Sequence, residues 1–318
     1  MVWTLCVTQI ISWGVLFYAF PVLATKIAAT EDWPLTALVG IFTGAQVLAA
    51  VLGIWVGRHI DRHGPRRVMT WGSVLAVAAT IGVAFAGSLV AYAIAWAATG
   101  AAMSATLYPP AFAAITHWAR PAHRVRALTA VTLVAGFAST VFAPLAAVLA
   151  EQTSWRTAYL LLTVPLLATI PLHATGLRAP WPVQSATSTR TQDDARETSA
   201  AGRRRLSWRE SLDPVVTQRA FVLLVVGFTL GGFSIYAVVV NFVPLLNENG
   251  IDTTTAAVAL GIGGAGQVAG RLLYAPLHQR LSAPHRTAAT LALAAITTAA
   301  LAVVPGPVVV VFAISFAA

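Results

Sequence analysis

The sequence predicts an all-α polytopic membrane protein, and three observations carry that prediction. Of its 318 residues 58% are hydrophobic and only 10% charged, against about 25% charged in soluble domains. Apolar stretches recur along the chain, each near the ~20 residues needed to cross a hydrocarbon core about 30 Å thick. The basic residues cluster between alternate stretches. The mean hydropathy of +0.76 agrees. These features exclude a disordered chain, a secreted disulfide scaffold and an ordinary soluble enzyme. Cys6 is the single cysteine and lies in an apolar run, so no intramolecular bridge is available.

Taken in order, the spans are expected at 4–24, 35–57, 68–87, 89–115, 128–150, 157–177, 220–245, 253–277 and 286–304, with a tenth starting near 307. The first is no cleaved signal peptide: it lacks a basic leading region, and Phe17-Tyr18-Ala19-Phe20 runs on past any small-residue cleavage site. Turn chemistry at Glu31-Asp32-Trp33-Pro34, Gly64-Pro65, Asn247-Glu248-Asn249-Gly250 and Pro305-Gly306-Pro307 separates the spans. Trp33, Trp118 and Trp155 fall near span ends, where indole rings prefer the interface. Pro109-Pro110 interrupts span 4, Pro144 span 5 and Pro165 span 6; such breaks free backbone carbonyls and permit bending. Twelve residues from Pro307 to Ala318 make ~18 Å of helix, short of the ~30 Å core, so the sequence reads as a fragment of a longer chain.

Orientation follows from charge. Of the 20 basic residues only Lys26 and Arg156 fall in the odd-numbered loops; the other 18 lie in or beside the even-numbered ones. This split places the even loops and the amino terminus in the cytoplasm of a cell whose inner membrane the chain crosses many times. The net charge of +9 has the same cause, and no nucleic-acid partner is expected. Residues 178–218 are rich in Arg, Ser, Thr, Asp and Glu and read as a cytoplasmic linker, with 206–212 as a short interfacial helix. The expected domains are an amino-terminal six-helix bundle over 1–177, the linker, and a second bundle over 219–318.

Between spans 2 and 3 stands Gly57-Arg58-His59-Ile60-Asp61-Arg62-His63-Gly64-Pro65-Arg66-Arg67, the pattern G-x-x-x-D-R-x-G-x-R-R. Gly57 lets a second helix approach closely, Gly64 allows a tight turn at positive φ, and Asp61 is an anion within reach of a helix N-terminus. The motif resembles the signature loop of the major facilitator superfamily. That resemblance implies the major facilitator fold of two pseudo-symmetric helical bundles, here with the second bundle incomplete. It also implies alternating access, with Asp61 and Arg62 latching span 2 to span 11. A weaker copy, Ala275-Pro276-Leu277-His278-Gln279-Arg280-Leu281-Ser282, follows span 8, with Arg280 matching Arg62.

Within the superfamily the chain resembles the monocarboxylate porter-like branch, on the run Phe17-Tyr18-Ala19-Phe20-Pro21 and on Gln267 and Arg271 one helical turn apart. The resemblance implies that Arg271 pairs a substrate carboxylate. Gln267 stands where those porters have an Asp, and Val22 where some have a Lys.

None of the eleven acids falls mid-span, and the histidines cluster near span ends, where they read as interface residues. No His or Cys spacing suits a metal, and neither metal nor cofactor is expected. Arg271 is the one charge well inside a span, ~12 Å before Gln279. A charge there is costly and normally faces a cavity or a partner. Gln9, Tyr18, Gln46, Tyr108, Tyr236 and Asn241 join it as polar candidates, although such a residue taken alone more often makes a helix–helix hydrogen bond than a ligand contact. The expected function is secondary transport of a small solute, with or without a coupling proton, by a monomer that is not an enzyme. A drug or metabolite efflux permease, a non-transporting receptor and an inactive remnant are the alternatives. Span 5 has Gly136 and Pro144 without a dense glycine pattern, which speaks against multidrug efflux.

Overall fold

The computed structural model describes residues 1–181 and 219–280 and a few isolated positions between 285 and 299. The stretch 182–218, Ser282, most of the ninth span and the tenth lie outside the described residues. Every regular element described is helical: α1 Val2–Trp13, a π turn Gly14–Tyr18, α2 Ala19–Glu31, α3 Leu35–His63, α4 Pro65–Ala84, α5 Leu89–Thr106, α6 Tyr108–Trp118, α7 Pro121–Gly136, α8 Ala138–Gln152, α9 Trp155–Gly176, α10 Arg219–Glu248 and α11 Thr253–Arg280. Span 1 is α1, the π turn and α2 run together; span 4 is α5 with α6, and span 5 is α7 with α8. Seven of the resulting segments are long and apolar enough to cross a membrane.

Local chemistry sets the ends. Ser88 accepts a hydrogen bond from the Ala91 amide at 3.2 Å, and Ser154 from the Thr157 amide at 3.1 Å, capping α5 and α9. Proline opens α4 and α7, where its missing N–H costs nothing. Asp32 ends α2 at φ 55°, a left-handed conformation that Asp tolerates.

The chain divides into two compact units, Met1–Pro182 with Val238–Ala318, and Val183–Ala237. In the first, α4 packs on α5 and α9, α3 on α5, α1 on α7 and α9, and α8 on α11. Its centre is aromatic. Phe20 and Phe42 stack at 4.2 Å, and Trp96 meets both edge-on at 5.3 and 5.0 Å. The described part of the second unit is the start of α10, whose apolar side chains, such as Phe228 and Phe233, are exposed.

The two basic residues of the odd-numbered loops and span ends, Lys26 and Arg156, both have defined partners. Arg156 forms a two-pronged ion pair with Glu31, donates to the Ala86 carbonyl at 2.9 Å and lies over the Trp155 ring at 4.3 Å. Trp155 itself donates Nε1–H to Glu31 at 3.0 Å. Spans 1 and 6 and the turn after span 3 are thereby tied together. Lys26 donates to the Ala150 carbonyl in the last turn of α8, where helix dipoles favour a cation.

Three expectations need correction. Pro144 and Pro165 lie inside continuous helices, and span 5 breaks instead at Phe137, after Gly136. His173 is no interface residue: it is 0% exposed, and its Nδ1 lies 2.8 Å from Ser73 Oγ. A Cβ at Gly57 would meet nothing within 4 Å, so no described helix approaches there.

Candidate functional site

Span 4 breaks where the sequence places two prolines. Pro109 and Pro110 have no N–H, so the carbonyls of Ala105 and Thr106 lose their helical partners. Leu107 turns out of the helix at φ −80°, ψ −159°. Gln9, fully buried on α1, donates Nε2–H to the Thr106 carbonyl at 2.6 Å. One turn further on, the Trp13 ring lies 5.0 Å from Tyr108, which stacks on Phe112 at 5.0 Å. The π turn follows at once, with Phe17 against Tyr18 at 5.1 Å; single π turns recur at functional sites. Gln9 Oε1 and Trp13 Nε1 are buried without a hydrogen-bond partner among the described residues.

Arg271 and Gln267 share the surface of α11 that faces the end of α7. A Cβ at Gly136 would sit 2.7 Å from Val268 Cγ2, 3.2 Å from Arg271 Nη1 and 3.8 Å from Gln267 Oε1, so only glycine admits this approach. Thr140 Oγ1 donates to the Gly261 carbonyl at 2.7 Å and fixes the same pair of spans. Arg271, half-buried, donates Nη1–H to the Thr132 carbonyl, near the negative end of α7. The one ion pair among the described residues is Arg156 with Glu31, so no described carboxylate neutralises Arg271. Tyr236 and Asn241 lie on exposed parts of α10, Tyr236 in the second unit. Gln46 is half-buried on α3.

A cavity of ≈ 520 Å³ lies at the ends of spans 1, 5 and 7 remote from the arginine-rich loops, lined by Val22, Thr25, Lys26, Glu151, Asn247 and Asp252 among others. Asn247 Nδ2 donates to Thr25 Oγ1 at 2.9 Å, and Thr254 donates to Glu151. Below them Phe242, Val243 and Leu246 join the same apolar core as Phe20, Leu23 and Ile27. The 247–250 stretch read only as a turn in the sequence; its partner on span 1 lies 222 residues away.

The signature loop turns as expected at Gly64, φ +80°. Gly64 is buried beneath Trp181, whose Cγ would lie 3.0 Å from a Cβ there. Trp181 donates Nε1–H to the Asp61 carbonyl at 3.1 Å. Asp61, Arg62, Arg66 and Arg67 are exposed, and Arg66 Nε donates to the Ala174 carbonyl at 2.8 Å. Arg280 closes α11. No group of three metal-ligating side chains forms among the described residues.

Apolar spans interrupted beside buried polar groups, with a mid-span arginine and an arginine-rich signature loop, define a polytopic membrane transporter. The sequence model of the Major Facilitator Superfamily matches residues 2–318, and the chain belongs to that superfamily. Its structure is similar to that of a D-xylose–proton symporter, with a TM-score of 0.71 at 15% identity over 99% of this chain and 78% of that one. It is also similar to a bacterial homologue of the human lysosomal transporter Spinster in an inward-facing, unoccupied conformation (TM-score 0.72, 14% identity, 99% and 71% covered). A peptide transporter in complex with alafosfalin gives 0.63 at 12% identity, with 99% and 78% covered. Identities this low carry the fold alone. No curated protein matches the chain.

Proposed function

We propose that this transporter moves a small organic anion, such as a monocarboxylate, by alternating access across the inner membrane, as a monomer with its amino terminus in the cytoplasm. The observation that carries the reading is Arg271: a cation inside a span, beside Gln267, with no described carboxylate to neutralise it. A cation with no counter-carboxylate favours an anion by direct Coulomb attraction where water is scarce, and the guanidinium fork suits a carboxylate. The resemblance of spans 1 and 8 to the monocarboxylate porter-like branch supports the same class. Tyr18 and Tyr108 would line the path, with Asn241 contributed by span 7. The signature residues Gly57, Asp61, Arg62, Gly64, Arg66 and Arg67, with Arg280, would serve as the gate.

Counterflow of labelled lactate, pyruvate and oxalate in proteoliposomes tests the proposal. Arg271→Lys should weaken exchange and Arg271→Gln abolish it, with both variants still inserted. Undiminished anion exchange by Arg271→Gln overturns the proposal. A second reading, a neutral polar metabolite, is favoured by the buried acceptor of Gln9 and donor of Trp13 beside the Tyr108 ring. Xylose exchange that survives Arg271→Gln but is lost in a Gln9→Leu variant that still folds and inserts would support it.

A further inference from the structure

Two helices on the arginine-rich face start on either side of Trp181, and neither has the electrostatics its first turn calls for. Helix N-termini carry a partial positive charge and favour acids. The first turn of α4 holds Arg66 and Arg67 instead, and that of α7 holds Arg124 after Arg120; neither contains an acid or a side-chain cap. Arg66, Arg67, Arg120 and Arg126 are exposed. The one acid in these two loops, Asp61, forms no ion pair with any described residue. Arg124 is half-buried, and its Nε is enclosed without a hydrogen-bond partner among the described residues.

An aromatic seat joins the two helix starts. Trp181 covers Gly64, the residue before α4, and its ring lies 4.3 Å from His117 and 5.4 Å from Trp118, at the end of α6 just before α7. Trp118 donates Nε1–H to the Pro180 carbonyl at 2.9 Å and holds the chain there.

We infer that this face is a docking surface for the phosphodiester headgroup of an anionic glycerophospholipid, seated between the starts of α4 and α7 on Trp118 and Trp181. Charge complementarity names the partner's sign: exposed guanidinium groups and two positive helix starts lie in loops that hold a single acid, Asp61. Position names the source. The surface lies where membrane-spanning helices end, at headgroup depth, and indole rings suit that layer because one edge is apolar and the other donates a hydrogen bond. Guanidinium forks match the non-bridging oxygens of a phosphodiester, and the glycerol and upper acyl carbons would lie along the indoles. Inorganic phosphate would use the arginines and leave the indoles unused.

The test is retention of lipid by the full chain. The protein is purified from vesicles of equal phosphatidylglycerol and phosphatidylcholine, stripped progressively with detergent, and its remaining adducts are counted by native mass spectrometry. Phosphatidylglycerol should outlast phosphatidylcholine. Arg120→Gln and Arg124→Gln should each cut that preference by about fivefold, and Trp181→Ala should reduce it. Lys26→Gln, which removes a charge from the opposite side, should leave it unchanged. Because Arg124 is half-buried, the exposed pair Arg120→Gln with Arg126→Gln repeats the test on side chains that bear no packing. Equal retention of the two lipids overturns the inference. So does a preference untouched by the arginine variants, or displacement of the lipid by millimolar inorganic phosphate, which would mark a free-phosphate site.

Discussion

The Nε2 of Gln9 stands 2.6 Å from the carbonyl oxygen of Thr106, the oxygen left without a helical donor by the missing N–H of Pro110. A side chain of span 1 thus completes the backbone of span 4. An unpaired carbonyl in a membrane interior costs several kcal/mol, so this bond makes the break tolerable at that depth. Because the carbonyl can only accept, it also fixes which end of the Gln9 amide points toward it, leaving Oε1 turned elsewhere.

Losing the Gln9 amide should therefore be costly only while Pro110 withholds its N–H. Gln9→Leu is expected to lower stability by about 1–3 kcal/mol, the cost of a buried unsatisfied acceptor. Pro110→Ala restores an N–H to the Thr106 carbonyl and should recover part of that loss in the Gln9→Leu background. Thermal unfolding in detergent of the two single variants and the double variant measures the coupling. Strictly additive effects would show that the two residues act independently.

The Glu31–Arg156 pair predicts a different dependence. Its prongs are partly exposed, at 16% for Glu31 and 35% for Arg156, so solvent and salt screen it. Glu31→Gln should cost about 1 kcal/mol at low ionic strength and less in molar salt, where the Debye length falls to about 3 Å. Trp155→Phe removes a neutral donor to the same carboxylate from a buried ring, so its cost is one of packing and should show little salt dependence. Unfolding midpoints across a salt series distinguish the two.

Thr25 and Asn247 bind a helix of the first half to one of the second, and with Thr254 and Glu151 they hold the arginine-poor ends of these spans together. A transporter that alternates access must part such contacts to open toward that side. Asn247→Ala should therefore favour the open state there. With Cys6→Ser as background, a cysteine placed at Ala147, which lines the cavity, should react several times faster with an impermeant maleimide in the Asn247→Ala variant. An unchanged labelling rate would show that this contact does not limit opening.

Much of this arrangement was legible residue by residue, and the failures share a cause. Apolar runs and turn chemistry located the helices, because both act within a few residues. Pro109-Pro110 marked the break in span 4 for the same local reason. Gly64 was recognisable as a turn glycine and has φ +80°. Pro144 misled, because a single missing N–H within a packed helix can be absorbed by its neighbours. His173 read as an interface residue from its place near the end of a span. What buries it is span 3, with Ser73 100 residues away. Gln9 stood out as polar inside a span, yet nothing near it in the chain pointed to Thr106, 97 residues on. Distances of that kind are set by packing, which a single sequence does not display.

The π turn from Gly14 to Tyr18 makes span 1 one residue longer than its path requires. Each residue of an α-helix turns the chain by about 100°, so the extra residue sets the azimuth of everything before it against everything after. Deleting one residue in that turn would leave a helix of uniform pitch, apart from the N–H that Pro21 lacks. It would also swing Gln9 and Trp13 roughly a quarter-turn around the axis relative to Phe20 and Ile27. A shortened span 1 could thus be well formed as a helix and still present its amide and its indole to the wrong neighbours. The surplus residue is what keeps the two ends of this span in phase with two different sets of partners.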